Sequence, residues 1–141
     1  CSLALSQLKK IDKFIEWRQN LANYYRKQIK DIEFIEPAQI KTDYILSNHI
    51  FPVRIKFAEY NIQRNDLMIY LREHSILTQV HYIPIPIHPY YKEMGHDHKK
   101  FVNNMTYFNE ALTLPLYYQL KNSQIDYVLG LIKDYFELKK A

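Results

Sequence analysis

Glycine is almost missing from this chain. Gly95 and Gly130 are the only two in 141 residues, where about 7% would be usual. Loops that cradle phosphate need glycines so that backbone N–H groups can approach the anion. Neither a G-x-G-x-x-G run nor a P-loop is present, so tight phosphate binding is not expected from this chain. Cysteine is as scarce: Cys1 alone cannot close an internal disulfide, which suits a reducing, cytoplasmic setting. No apolar run approaches the roughly 18 residues of a membrane span and no signal peptide is visible, so no membrane partner is expected. Clustered positive charge is lacking too. The net charge of +4 comes with scattered lysines, which argues against nucleic acid.

What is present is a globular composition, 48% hydrophobic against 24% charged, in a length that suits one domain with a modest core. The first residue is Cys and not Met, and the residues after it already read as helix interior. A piece of a longer protein is therefore expected.

Leu8, Ile11, Ile15, Ala22, Tyr25 and Ile29 recur at three- and four-residue spacing, with Phe14 and Leu21 beside them and Arg18 interrupting. This predicts one long amphipathic helix over 2–30, on the order of 40 Å. That exceeds what a small sheet covers, so part of the stripe is expected to meet something else. Glu33 to Ile35 is a short apolar step. Ile50 to Phe57 alternates after Pro52 and predicts a strand, at an edge or starting near the proline. Arg64 to His74 predicts a helix with Leu67, Tyr70, Leu71 and His74 on one face and Asn61 or Asn65 as N-cap.

A second strand is expected over 76–82, one helical turn over 89–94 ended by Gly95, and a polar loop over 95–100. A helix over 103–110 and a third strand over 111–117 follow. The last helix runs to about Leu138, capped by Asn122 or Ser123, with Ile125, Val128, Leu129, Ile132, Tyr135 and Phe136 inward. The order predicts an α+β domain, a small sheet with helices over one face.

The stretch TQVHYIPIPIHPYYKEMG, residues 78–95, stands apart. It sets His81, Tyr82, His88, Tyr90 and Tyr91 on a connection stiffened by Pro84, Pro86 and Pro89. A zinc site is one reading of His81, His88, His96 and His98. Their spacing matches no helical histidine pair, no cysteine is near, and Asp97 is the only close aspartate. His96 and His98 read better as a solvated loop, and His74 as a packed or surface histidine. No serine sits in a nucleophile elbow, and Glu59, Glu73, Glu93 and Asp97 form no recognisable acid pair, so no catalytic residue is assigned. The rings and histidines of 78–95 can stack on a flat ligand face and donate hydrogen bonds to pyrophosphate or hydroxyl groups. Prolines lower the entropy lost on binding. A structural loop whose tyrosines cover the sheet is the competing reading.

Three segments in order carry a resemblance: ALSQLKKIDKFIEWRQNLANYY, TQVHYIPIPIHPYYKEMG and ALTLPLYYQLKNSQIDYVLGLIK. Together they resemble the DegT/DnrJ/EryC1/StrS family of sugar aminotransferases over nearly all 141 residues. QVHYIP looks closest to members that aminate UDP-linked 4-keto-6-deoxy sugars. The resemblance implies the aspartate-aminotransferase fold, pyridoxal phosphate as cofactor, a homodimer, and amino transfer from glutamate to a nucleotide-linked keto sugar in amino-sugar or cell-surface polysaccharide biosynthesis. It implies that residues 1–141 are the C-terminal small domain, with a small mostly antiparallel sheet. Residues 1–30 would be an interdomain helix, and the cofactor lysine and most phosphate ligands would lie in a larger domain outside this chain. By position, His81 and Tyr82 match the family's substrate-side pair, and Tyr90 and Tyr91 its closing aromatic pair, His81 as donor and the tyrosines as walls. His88 matches no fixed position. A stand-alone nucleotide- or carbohydrate-binding module is the alternative, and an interaction domain using the long helix a third.

The chain also departs from the family pattern. Ser75 and Leu77 stand where glycines are common, and Phe101-Val102 replaces Phe-Pro before a helix whose usual glutamate falls at Met105. These departures touch helix ends and leave the 78–95 chemistry in place.

Overall fold

The computed structural model describes residues 2–38 and 46–140, so the reading of Cys1 lies outside the described residues. Helix α1 spans Ser2–Leu8 and α2 spans Ile11–Ile29. The single helix expected over 2–30 is therefore broken. Lys10 N–H donates to the Gln7 carbonyl at 3.0 Å, a tightened turn, and Lys10 has φ −104° and ψ −2°. The physical reason is packing. No residue of α1 is buried and Leu3 is 72% exposed, so nothing holds α1 in register with α2. The stripe is buried only from Leu21 on, through Ala22, Tyr25 and Ile29. Arg26 and Lys27 complement the negative end of the α2 dipole.

Strands β1 (Ile35–Pro37), β2 (Phe51–Ile55) and β3 (Ala111–Leu114) form an antiparallel sheet in the order β1-β2-β3. Phe51 faces Leu114, Pro52 faces Thr113, and Val53 faces Leu112. Because side chains alternate, Phe51, Val53, Ile55, Leu112 and Leu114 point to one face. There they join the core with α2, α3 (Arg64–Glu73) and α6 (Asn122–Lys140). Phe34 stacks on Phe136 with ring centroids 3.8 Å apart, and Leu67 and Leu71 of α3 are fully buried. The fold is α+β with helices over one face of a small antiparallel sheet. The other face carries Arg54, whose Nε donates to Glu110 Oε2 at 2.6 Å. Glu36 lies 3.8 Å from both Arg54 and Lys56.

The strand expected over 76–82 is not formed. Gln79 alone bridges to Thr113. Pairing, not propensity, decides this: β3 has four residues, and Pro84 and Pro86 have no N–H to extend a ladder. The proline stretch is not extended throughout either, since Ile85–Ile87 form a 3₁₀ turn between the extended residues Pro84 and His88. Helix α4 (Pro89–Glu93) follows and ends at Gly95, φ +83°. A second 3₁₀ turn, His98–Lys100, occupies the expected polar loop, and α5 (Val102–Glu110) leads into β3. Neither Asn61 nor Asn65 caps α3; Gln63 precedes that helix and makes no side-chain cap. At α6 the cap comes from Gln124, whose Oε1 accepts from the Lys121 N–H at 2.9 Å.

Candidate substrate-facing edge

The 78–95 stretch is fastened to the sheet at one rung. Thr113 N–H donates to the Gln79 carbonyl at 2.7 Å, and Gln79 N–H to the Thr113 carbonyl at 3.3 Å. Two residues on, His81 Nδ1 lies 2.8 Å from Thr113 Oγ1. Thr113 is 7% exposed and, with Pro52 and Ala111, belongs to the sheet face away from the main core. His81 is half-buried, and the His81–Tyr82 peptide bond is cis. The two rings meet edge to face, centroids 4.7 Å apart, and Tyr82 is 72% exposed. The result is an imidazole held at one nitrogen beside an open aromatic face. This combination can donate a hydrogen bond and stack on a ligand.

Tyr90 and Tyr91 form a second pair at the start of α4. Their centroids are 5.3 Å apart at 84°, and Tyr91 also meets His96 at 5.9 Å. Tyr90 is 67% exposed. Each pair is thus internally ordered, but among the described residues no ring contact joins one pair to the other. His88 is exposed, with Nε2 3.3 Å from the Ile83 carbonyl oxygen, so it serves its own turn. His96 is exposed; the side chain of His98 lies outside the described residues. His74 Nδ1 lies 2.8 Å from the Tyr70 carbonyl oxygen, and its ring packs on Tyr70. Among the described residues no three histidines, cysteines or carboxylates come together as a metal site.

Thr113 is the residue that sequence reading missed. Its signal was a lone hydroxyl at an alternate position of the apolar strand ALTL. One hollow of about 550 Å³ lies within the 78–95 stretch, lined by Ile87, Pro89, Lys92 and Glu93, and others lie away from it. One of about 660 Å³ runs between α2 and α6, lined by Trp17, Leu21, Tyr24 and Leu120, and one of about 560 Å³ lies between His74, Leu77, Tyr117 and Tyr127. His81 and Tyr82 lie at an open edge, able to form one wall of a site but not to enclose a ligand. No helix of the described residues is long and apolar enough to cross a membrane.

The described residues form no seat for the Schiff base or phosphate of pyridoxal phosphate. No described lysine is buried, and no glycine-rich turn opens a helix.

Known proteins share this arrangement of elements. Spr1654 from Streptococcus pneumoniae, a protein assigned as a sugar aminotransferase and solved in its PLP-form, superposes with a TM-score of 0.87 at 27% identity. The match covers 98% of this chain and 35% of that one. The spore coat polysaccharide biosynthesis protein SpsC of Bacillus subtilis is 30% identical over 135 residues, which are 94% of this chain and 35% of SpsC. The UDP-4-amino-4,6-dideoxy-N-acetyl-beta-L-altrosamine transaminase of Campylobacter jejuni is 28% identical over 128 residues, 91% of this chain and 34% of that enzyme. The chain spans about a third of the length of these relatives. Residues 1–133 match the family model that unites such proteins, across the described helices, the sheet and the 78–95 edge alike, and the chain belongs to the DegT/DnrJ/EryC1/StrS aminotransferase family.

Proposed function

We propose that this chain is the C-terminal small domain of a sugar aminotransferase and supplies the wall that faces a nucleotide-linked keto sugar. The observation that carries this is the His81 edge: the imidazole is anchored through Nδ1 to Thr113, and among the described residues Nε2 has no hydrogen-bond partner beside the exposed ring of Tyr82. In this reading Nε2–H of His81 donates to the sugar nucleotide. Tyr82 and the Tyr90–Tyr91 pair are apolar walls that exclude water and orient the sugar. Arg54 is paired with Glu110 and is not assigned to the ligand. Pyridoxal phosphate supplies the electron sink for such amino transfer. Its lysine and phosphate seat belong to a larger preceding domain, and glutamate as amino donor and a homodimer complete the proposal.

Three observations test it. The reading frame upstream of Cys1 should hold a further segment roughly twice as long as this chain, as in relatives of which it covers 35%. The chain alone, mixed with pyridoxal phosphate and treated with borohydride, should fix the cofactor on no specific lysine and show no transamination. In the full-length protein His81→Ala should lower kcat/KM of the sugar half-reaction roughly tenfold to a hundredfold, as expected for a bond to a charged group. The glutamate half-reaction should change far less. Equal damage to both would assign His81 to the cofactor or the fold.

A further inference from the structure

We infer that Thr113 is a positioning residue that fixes the ring orientation and tautomer of His81, so that Nε2 is presented as a hydrogen-bond donor at the open edge. The inference rests on the reading of His81 as a ligand donor and adds how the fold prepares it.

Thr113 Oγ1 is 2.8 Å from His81 Nδ1, and the threonine is 7% exposed. A buried hydroxyl has one proton to place, and among the described residues its recorded partner is that nitrogen. If Nδ1 carried a proton it would donate to Oγ1, and the hydroxyl proton would be left without an acceptor away from water. Buried donors are rarely left so. The satisfied arrangement is the reverse: Thr113 O–H donates to Nδ1, and the ring proton resides on Nε2. The imidazole then offers a donor, not an acceptor, to whatever docks at Tyr82. A donor suits a diphosphate or a sugar hydroxyl oxygen, since phosphate oxygens only accept.

The backbone makes this assignment rigid. Thr113 is tied to Gln79 by two main-chain hydrogen bonds, so strand β3 and the chain carrying His81 cannot slide past one another. The register Pro52↔Thr113 sets the Thr113 side chain on the face opposite the main core, the side on which the His81 ring meets it. Thr113 is close to the shape of valine, so a substitution can remove the hydroxyl and leave the strand.

The test uses the full-length protein with Thr113→Val, Thr113→Ser and His81→Ala. Histidine is labelled with ¹⁵N to read the ring tautomer, and UDP, GDP and dTDP are titrated calorimetrically. In the unsubstituted protein His81 should show the Nε2–H tautomer. Thr113→Ser should keep it and bind the preferred nucleotide diphosphate within about twofold. Thr113→Val should release the ring into a mixture of tautomers and weaken binding roughly fivefold to tenfold. An unchanged His81 signature and unchanged affinity in Thr113→Val would overturn the inference, as would an Nδ1–H tautomer in the unsubstituted protein. If His81→Ala binds every nucleotide diphosphate as well as the unsubstituted protein, the functional reading fails. The ring signature of the Thr113 variants then still decides whether Thr113 sets the tautomer.

Discussion

The hydroxyl of Tyr25 donates to the carbonyl oxygen of Pro115 at 3.0 Å while its ring lies on Phe51, centroids 4.6 Å apart and nearly parallel. One side chain thus ties α2 to β2 and to the residue just past β3. Tyr25 is fully buried, so its hydroxyl needs this acceptor. Tyr25→Phe keeps the ring and removes the bond. It should cost about 0.5–1.5 kcal/mol, read as a lower urea midpoint with unchanged slope. No loss at all would mean that the Pro115 carbonyl finds another donor.

The same residue gives a pH dependence. Burial, and secondarily Tyr117, push the Tyr25 phenol above its ordinary value. The unfolded chain ionises this tyrosine near pH 10, while the fold keeps it neutral. Its contribution is therefore fully present below about pH 10 and is lost as pH rises beyond that. Tyr24, raised by its hydrogen bond to Asp126, and Tyr135, raised by burial, act in the same direction. The stability of the chain should therefore decline above about pH 10, and Tyr25→Phe should make the decline shallower by up to about 1.4 kcal/mol per pH unit. Parallel pH profiles for the two proteins would show that the phenol reaches solvent before the fold opens.

Ser75 occupies a glycine's conformation. It follows α3 with φ +64°. Its N–H donates to the Arg72 carbonyl at 2.9 Å and the Ile76 N–H to the Leu71 carbonyl at 2.8 Å, a paired closure of the helix end. A Cβ in this left-handed region costs roughly 1–2 kcal/mol, less the entropy that glycine loses on folding. Ser75→Gly should therefore stabilise the chain by about 1 kcal/mol and raise the melting temperature. Leu77, the other position where a glycine was expected, has no positive φ, so Leu77→Gly should give no such gain. Destabilisation by Ser75→Gly would mean that the serine hydroxyl is engaged.

The core was legible because burial imposes a period. Ile125, Val128, Leu129, Ile132 and Phe136 were readable as one face, and the β2 alternation survives as Phe51, Val53 and Ile55. What failed depended on partners that periodicity does not encode. The 76–82 segment has the β-branched composition of a strand, yet it pairs only where β3 offers Thr113 to Gln79. The continuous first helix failed because no described residue buries Leu3, Leu5 or Leu8. At the edge, the His81–Tyr82 neighbourhood was visible as residue types, but the hydroxyl that holds His81 lies 32 residues away and only the fold brings it near.

Arg64 holds the other end of β3. Its Nη1 donates to the carbonyl of Phe108 and, at 3.3 Å, to that of Ala111, and its guanidinium lies 4.8 Å from the centroid of the Phe108 ring. Two carbonyls that α5 leaves open at its C-terminal end are thus closed by a cation where the helix dipole is negative. The strand that begins at Ala111 takes its position from this clamp, and Thr113 follows two residues later. Lysine carries the charge but not the planar guanidinium that lies against the Phe108 ring, so Arg64→Lys should not restore the whole contact. Arg64→Met keeps an apolar stem against Phe108 and removes the donors. Both should destabilise the chain by about 1.5–3 kcal/mol. Hydrogen exchange should show faster opening at the Thr113 amide in either variant, because the Gln79 rung then loses its fixed neighbour. If Arg64→Lys matches the unsubstituted protein in both stability and exchange, a point charge suffices at the helix end and the guanidinium plane does not position β3.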